Sequence, residues 1–169
     1  MKKLTMIFAA LVMTVAMQAQ TKFHDVEVND AKGNVKSISM SVMGMQQVIE
    51  FSQDGKMSQE GMSNAKYDEN GYMVSATMSM MGQTADVKFA WENGKLKSQT
   101  IVAGGQEIVQ TLIWGEDGQL KAQKMTVMGQ EVEVPFSDYK LDAKGNWISR
   151  KSSMMGRDME QTRKIEYYE

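Results

Sequence analysis

The chain has 169 residues, with 19 basic and 21 acidic side chains, one histidine, one proline, 14 glycines, 18 methionines and no cysteine. Without cysteine there is no disulfide framework, no thiolate metal site and no thiol nucleophile, and a lone histidine excludes a multidentate histidine site. A formal charge of −2 and a pI near 5.5 lack the basic footprint of a nucleic-acid binder.

In chain order, the first feature is Met1-Lys2-Lys3, an almost wholly apolar run from Leu4 to Ala16, and then Met17-Gln18-Ala19-Gln20. A short positive start, a short apolar stretch and a small residue before a polar one predict a secretory signal peptide over residues 1–19. Cleavage is expected after Ala19, with Ala16 as the alternative site. The run is shorter than the roughly 20 apolar residues that cross a bilayer. The expected address is the periplasm or the cell surface. Cleavage removes Lys2 and Lys3 and no acid, so 17 basic face 21 acidic side chains at net −4, and 14 methionines remain. The remainder, residues 20–169, reads as one domain that buries roughly 68–70% of its unfolded surface, with no need of a disulfide.

Beyond residue 20 the chain is punctuated by glycine. Five pairs stand 11 residues apart, at 33/44, 71/82, 94/105, 118/129 and 145/156, and the first members of the last four pairs recur every 23 to 27 residues. A period of this size marks a repeat architecture. Two residues after each first glycine comes an apolar residue: Val35, Met73, Leu96, Leu120 and Trp147, with Met57 after Gly55. Four before it come Phe51, Tyr67, Trp114 and Leu141, and Trp91 comes three before. Asp or Ser at the start of the intervening turn accepts backbone hydrogen bonds, and glycine at its fourth position supplies positive φ, so each unit is a hairpin. The approach strands alternate, giving inward pairs Ile49/Phe51, Ala65/Tyr67, Phe89/Trp91, Leu112/Trp114 and Tyr139/Leu141. On the outgoing strands the apolar positions run plus two, plus seven (Met40, Met78, Ile101, Met125) and plus nine (Val42, Met80, Ala103, Val127, Met154). That odd step predicts a mid-strand bulge in each outgoing strand, with burial on both faces as the alternative. The unit from Gly55 to Tyr67 is expected to be shortened by Gly61, and Pro135 to mark an edge or bulge. No helix is expected after residue 20. The predicted class is all-β: an antiparallel meander of tandem hairpins, about 10–12 strands in one open or curled sheet.

The turn Tyr67-Asp68-Glu69-Asn70-Gly71-Tyr72-Met73 resembles the YD repeat of RHS-like proteins, with looser copies at Leu141–Trp147, Trp114–Leu120 and Phe51–Met57. The resemblance implies a continuous stack of hairpins in a secreted or surface protein. It is to the small exported single-domain relatives, whose resemblance implies no particular chemistry.

Methionine clusters near the second glycines. It stands one residue before four of them, at Met43, Met81, Met128 and Met155, with Met40, Met45, Met78, Met80, Met125, Met154 and Met159 nearby. These side chains are expected chiefly as packing residues and as an adaptable apolar contact surface for a protein or apolar ligand. Thioethers also select Cu(I), and Met40, Met43, Met78, Met81, Met154 and Met155 form the candidate set. Arg150 and Arg163 fall close together on a terminal hairpin and are candidates to hold a carboxylate or phosphate. The plainer expectation pairs them with Glu160 and Glu166 on a solvated face. Glu131/Glu133 and Asp25/Glu27 are read as solvated acid pairs on strand faces rather than a hydrolytic pair. His24 is expected at the surface without a partner. No catalytic motif or calcium loop is present, and no cofactor is implied. The strand segments lack the lipid-facing apolar band of an outer-membrane barrel. The functional expectation is an exported, non-catalytic binding or structural module. The alternatives are a periplasmic Cu(I)-binding protein and a carrier of a lipid or other apolar ligand. An open meander would also leave two edge strands for self-association.

Overall fold

The computed structural model describes residues 22–42, 45–80, 82–127, 130–154 and 156–169. A one-turn helix, α1 (Asp25–Val28), precedes twelve strands: β1 (Val35–Val42), β2 (Met45–Phe51), β3 (Met57–Gln59), β4 (Met62–Tyr67), β5 (Met73–Met80), β6 (Gln83–Glu92), β7 (Lys95–Ala103), β8 (Gln106–Trp114), β9 (Leu120–Val127), β10 (Gln130–Leu141), β11 (Trp147–Met154) and β12 (Arg157–Tyr167). All lie in one sheet, ordered β3-β2-β1-β12-β11-β10-β9-β8-β7-β6-β5-β4. The predicted all-β meander is therefore curled. β12 returns to pair antiparallel with β1, Ile38 opposite Ile165, and the sheet becomes a nearly closed barrel. Only β3 and β4, joined through Glu60 and Gly61, lack a ladder between them. The unit that holds them is shortened as expected. α1 corrects the expectation of no helix beyond residue 20, and it moves Asp25 and Glu27 off the strand on which the sequence reading placed them.

The turns take the form their residues dictate. At 68–71 the Gly71 amide donates to Asp68 O, while the Asp68 carboxylate accepts from the amides of Asn70 and Tyr72. Asp142 repeats the arrangement with Lys144 and Asn146. The shorter turn is Asn93-Gly94, both at positive φ, the backbone that a two-residue hairpin requires.

A bulge occurs in the outgoing strand of all five glycine-pair units, but near the start of the strand rather than in its middle, always three residues after the first glycine. Tyr67 opposes Met73 while Lys66 opposes Ser75, so Val74 is extra. Lys97, Lys121, Ile148 and Lys36 are extra in the same way. One inserted residue flips the alternation, which carries positions plus five and plus seven onto the face already occupied by plus two. Pro135 is in an internal strand, not at an edge. β10 pairs with β9 through Pro135 and with β11 from Phe136 onward, so the missing N–H falls where the strand hands its pairing over.

The inward aromatics tie neighbouring hairpins together. Trp91 Nε1 donates to Met73 O and Trp114 Nε1 to Leu96 O, both at 2.8 Å, and Tyr139 Oη donates to Leu120 O. In each case the acceptor is the plus-two residue of the preceding unit. Apolar side chains fill the interior in two clusters. One gathers Val26, Val35, Ile38, Ile49, Phe51, Met57, Met73 and Ala76; the other gathers Leu96, Leu112, Leu120, Val134 and Phe136. Leu141 departs from its expected inward place and is exposed at the rim, beside the turn that follows it.

Candidate functional site

The segment before β1 crosses the first-turn end of the barrel and enters it. The Phe23 amide donates to Asp54 O and the His24 amide to Gly71 O, so the strap is tied to two turns before α1 begins. The Asp25 side chain then reaches the seam. Its Oδ2 accepts from the Met57 amide of β3 and from the Tyr67 hydroxyl of β4, each at 2.7 Å, and so bridges the two strands that share no ladder. Burial pushes this carboxyl up, against the lowering effect of those two hydrogen bonds. His24 is half-buried, stacked on Tyr72 at 4.1 Å and bonded to Glu27, rather than free at the surface.

Two guanidinium groups hold the inner end of this plug. Arg163, 6% exposed, donates from Nε to Trp147 O, from Nη1 to Asn29 O and from Nη2 to Asp30 O, at 2.8, 2.6 and 2.7 Å. Arg150, 7% exposed, donates from Nε to Gln161 and from Nη1 to the Asp30 carboxylate at 3.0 Å, with Tyr139 Oη at 3.4 Å. Their planes lie 3.7 and 4.1 Å from the Trp147 ring centroid, and Arg150 also lies 3.9 Å from that of Phe136. The arginines are thus near neighbours as expected, but the pairing with Glu160 and Glu166 on a solvated face is overturned. Inward positions plus five and its cross-strand diagonal took them into the barrel, while Glu160 accepts from Ser149 and Glu166 from Lys164. Burial raises the Asp30 carboxyl although both arginines draw it down. Burial likewise lowers the Arg163 guanidinium to about 10, and it keeps its charge at neutral pH. The Trp147 indole N–H faces Asp30 without closing a hydrogen bond.

Beyond the plug lies a chamber of about 490 Å³. Its apolar wall is Val28, Met40, Leu96, Leu112, Leu120 and Trp147; its polar belt is Gln99, Gln123, Arg150, Gln161 and Arg163. Gln99 is bonded to its cross-strand partner Gln110. A smaller hollow of about 320 Å³ opens at the first-turn end among Lys95, Trp114, Tyr139 and Asn146. Asp30, Leu96 and Trp147 line both and form the partition.

Of the methionines, Met43, Met81, Met128 and Met155 lie outside the described residues. Met40, Met78 and Met154 stand on β1, β5 and β11, all toward the second-turn ends of their strands; of the described methionines, Met40 and Met159 line the chamber. Glu131 and Glu133 both reach Lys124 on the outer wall, at 3.4 and 3.3 Å, as solvated charges. Among the described residues no group of three acidic or histidine side chains is placed to hold a metal ion, and no helix is long and apolar enough to cross a membrane. Sequence reasoning misread Asp25 as a solvated strand residue, where it is buried, and missed Asp30 and the glutamine belt. The belt had a signal: position plus five reads Ile38, Ala76, Gln99, Gln123, Arg150, a slot that turns from apolar to polar along the repeat. Asp25 and Asp30 had none, because nothing local marks a segment that will fold back into a barrel. No protein-family model matches the chain, and no curated protein matches it.

Proposed function

We propose that this protein is an exported, non-catalytic binding module that carries a small, largely apolar ligand inside its barrel. The observation that supports this most directly is the chamber of about 490 Å³, walled by Val28, Met40, Leu96, Leu112 and Leu120. Its size is that of a small-molecule site, and apolar walls with a few convergent polar groups are the usual composition of one. The outer wall carries mid-strand charge at Asp86, Lys88, Lys124, Glu133 and Lys151, the surface of a barrel that faces water rather than hydrocarbon. The signal-like residues 1–19 support export, and the tandem turns support kinship with the YD-repeat proteins. Self-association through edges has less support. β3 is three residues long, and β4 carries Lys66 and a kink at Asn64 (φ 52°), features that blunt an edge.

Native mass spectrometry of protein purified from its own compartment tests the reading, together with titration by the neutral fluorophore N-phenyl-1-naphthylamine. A carrier shows a small-molecule adduct or saturable dye binding that Leu112→Trp abolishes by filling the chamber. A copper adduct instead supports thioether ligation. Bare protein whose dye binding is unaffected by Leu112→Trp refutes the carrier.

A further inference from the structure

The charge inside the chamber is unbalanced. Among the described residues four charged ones contribute to its wall: Asp30, Arg150, Glu160 and Arg163. Glu160 opposes Lys151 in the ladder and shares its outer face, where it accepts from Ser149 Oγ at 2.8 Å, so its charge is directed to solvent. Inside, two guanidinium groups face one carboxylate. Each of the three nitrogens of Arg163 already donates to a carbonyl. Arg150 differs. Its Nε and Nη1 are bonded, but among the described residues Nη2 has no partner. Nor is Nη2 sealed: the sealed, unpartnered side-chain atoms among the described residues are Asp25 Oδ1 and Trp147 Nε1. Arg150 lines the chamber and not the smaller hollow, and Nη2 is the nitrogen it leaves without a partner among the described residues.

We infer that the chamber takes a monoanionic amphiphile, an apolar chain ending in a carboxylate, with the carboxylate on Nη2 of Arg150 and the chain along Val28, Leu96, Leu112 and Leu120. This rests on the carrier reading and adds the head group to it. An anion leaves water for an apolar chamber only where a charge and hydrogen-bond donors receive it. Arg150 supplies the charge, held in a fixed plane between Phe136 and Trp147. The side-chain amides of Gln99, Gln123 and Gln161 on the same belt supply further donors. One unmatched positive charge suits one negative charge; a dianionic phosphate would bring a second beside Asp30 with nothing to receive it.

The experiment is displacement of N-phenyl-1-naphthylamine by dodecanoate, dodecanol and dodecylamine, each below its micellar concentration, at pH 7.5. A charge-assisted contact in a water-poor site predicts that dodecanoate displaces the dye at about tenfold lower concentration than dodecanol, with dodecylamine weakest. Asp30→Asn, which frees Arg150 from its internal carboxylate, raises the acid-over-alcohol ratio several-fold. Arg150→Met combined with Asp30→Asn brings that ratio to about one. An acid that binds no better than the alcohol overturns the head-group assignment and leaves the carrier reading standing. So does an Asp30→Asn variant whose ratio falls or stays the same. If the dye binds in a manner that Leu112→Trp abolishes but none of the three alkyl ligands displaces it, the amphiphile assignment fails and the carrier reading stands; if the protein carries no adduct and its dye binding is unaffected by Leu112→Trp, both fail.

Discussion

Replacing Arg163 with methionine tests whether the N-terminal plug belongs to the folded core. Methionine keeps an unbranched chain against Trp147 and removes three donors that now serve the carbonyls of Trp147, Asn29 and Asp30. If the plug stays, three carbonyls are left unpaired inside the barrel, at about 1 kcal/mol each toward the low end of the cost of an unmet buried group. If the plug leaves, water satisfies Asn29 and Asp30, but Val26 and Ala31 lose their burial. A valine side chain alone contributes about 1.5–3 kcal/mol when buried. Both routes lead to a loss of about 3 kcal/mol. Three charge-assisted bonds would suggest more, but methionine is spared the desolvation that the guanidinium bears. Urea unfolding followed by tryptophan fluorescence gives the loss by linear extrapolation. Hydrogen exchange at Ala31, whose amide donates to Val26 O, and at Met57, whose amide donates to Asp25, separates the two routes. A loss below about 1 kcal/mol with both amides still protected would refute the reasoning.

Three further outcomes follow from the same geometry. The carboxyl of Asp25 is raised above 3.8 by burial, so the folded state holds its proton more tightly than the unfolded one, and stability falls as pH rises from about 4 through the raised value. Asp25→Asn keeps an acceptor for Met57 and Tyr67 without titrating, so urea midpoints between pH 4 and 7 vary less than in the parent; an unchanged slope contradicts the assignment. Gly71 and Gly82 both sit at positive φ, but a Cβ on Gly71 would lie 1.9 Å from the Lys22 carbonyl oxygen, whereas one on Gly82 meets nothing within 4 Å. Gly82→Ala therefore loses roughly 1–2 kcal/mol to the backbone conformation alone, and Gly71→Ala loses clearly more because it drives the strap off its turn; equal melting temperatures would sink the strap's close approach. Deleting Lys121 removes the bulge of β9 and turns Gln123 and Met125 outward, which prevents folding, whereas Lys121→Ala changes stability by about 0.5 kcal/mol or less. A deletion variant with the parental circular dichroism and cooperative unfolding would refute the register.

The hairpins were legible because the signals that make them are local. Glycine at a positive-φ turn position, an acid at the start of the turn and alternation in the approach strand each act over a few residues. The bulges were legible too, since an odd step between apolar positions has few physical origins. What alternation could not show was closure. Pairing of Ile38 with Ile165 depends on how twist and bulges accumulate over twelve strands, and no single unit records that sum. The arginines were misread for the same reason. On an open hairpin Arg150 and Glu160 look like surface neighbours, but once the sheet curls the bulge at Ile148 turns Arg150 inward. The plug was invisible because its partners are as far away as Arg163, 133 and 134 residues along the chain.

The repeat also explains why a barrel of nearly equivalent hairpins has its chamber on one side. Position plus five faces inward in every full unit, so its side chain decides whether that sector is dry or wet. Ile38 and Ala76 make it dry, and they belong to the cluster that packs Val26, Phe51 and Met57 against the seam. Gln99, Gln123 and Arg150 make it wet in the sectors built by β7, β9 and β11. Buried amides and a guanidinium are stable there only if something meets their donors, and Gln110, Gln161 and Asp30 meet part of them. For stability alone, apolar side chains at all five positions would serve better, as the first two units show. Arg150 offsets part of the cost of keeping three polar ones by holding Asp30 of the plug, and the two glutamines beside the apolar wall are what the proposed ligand would account for.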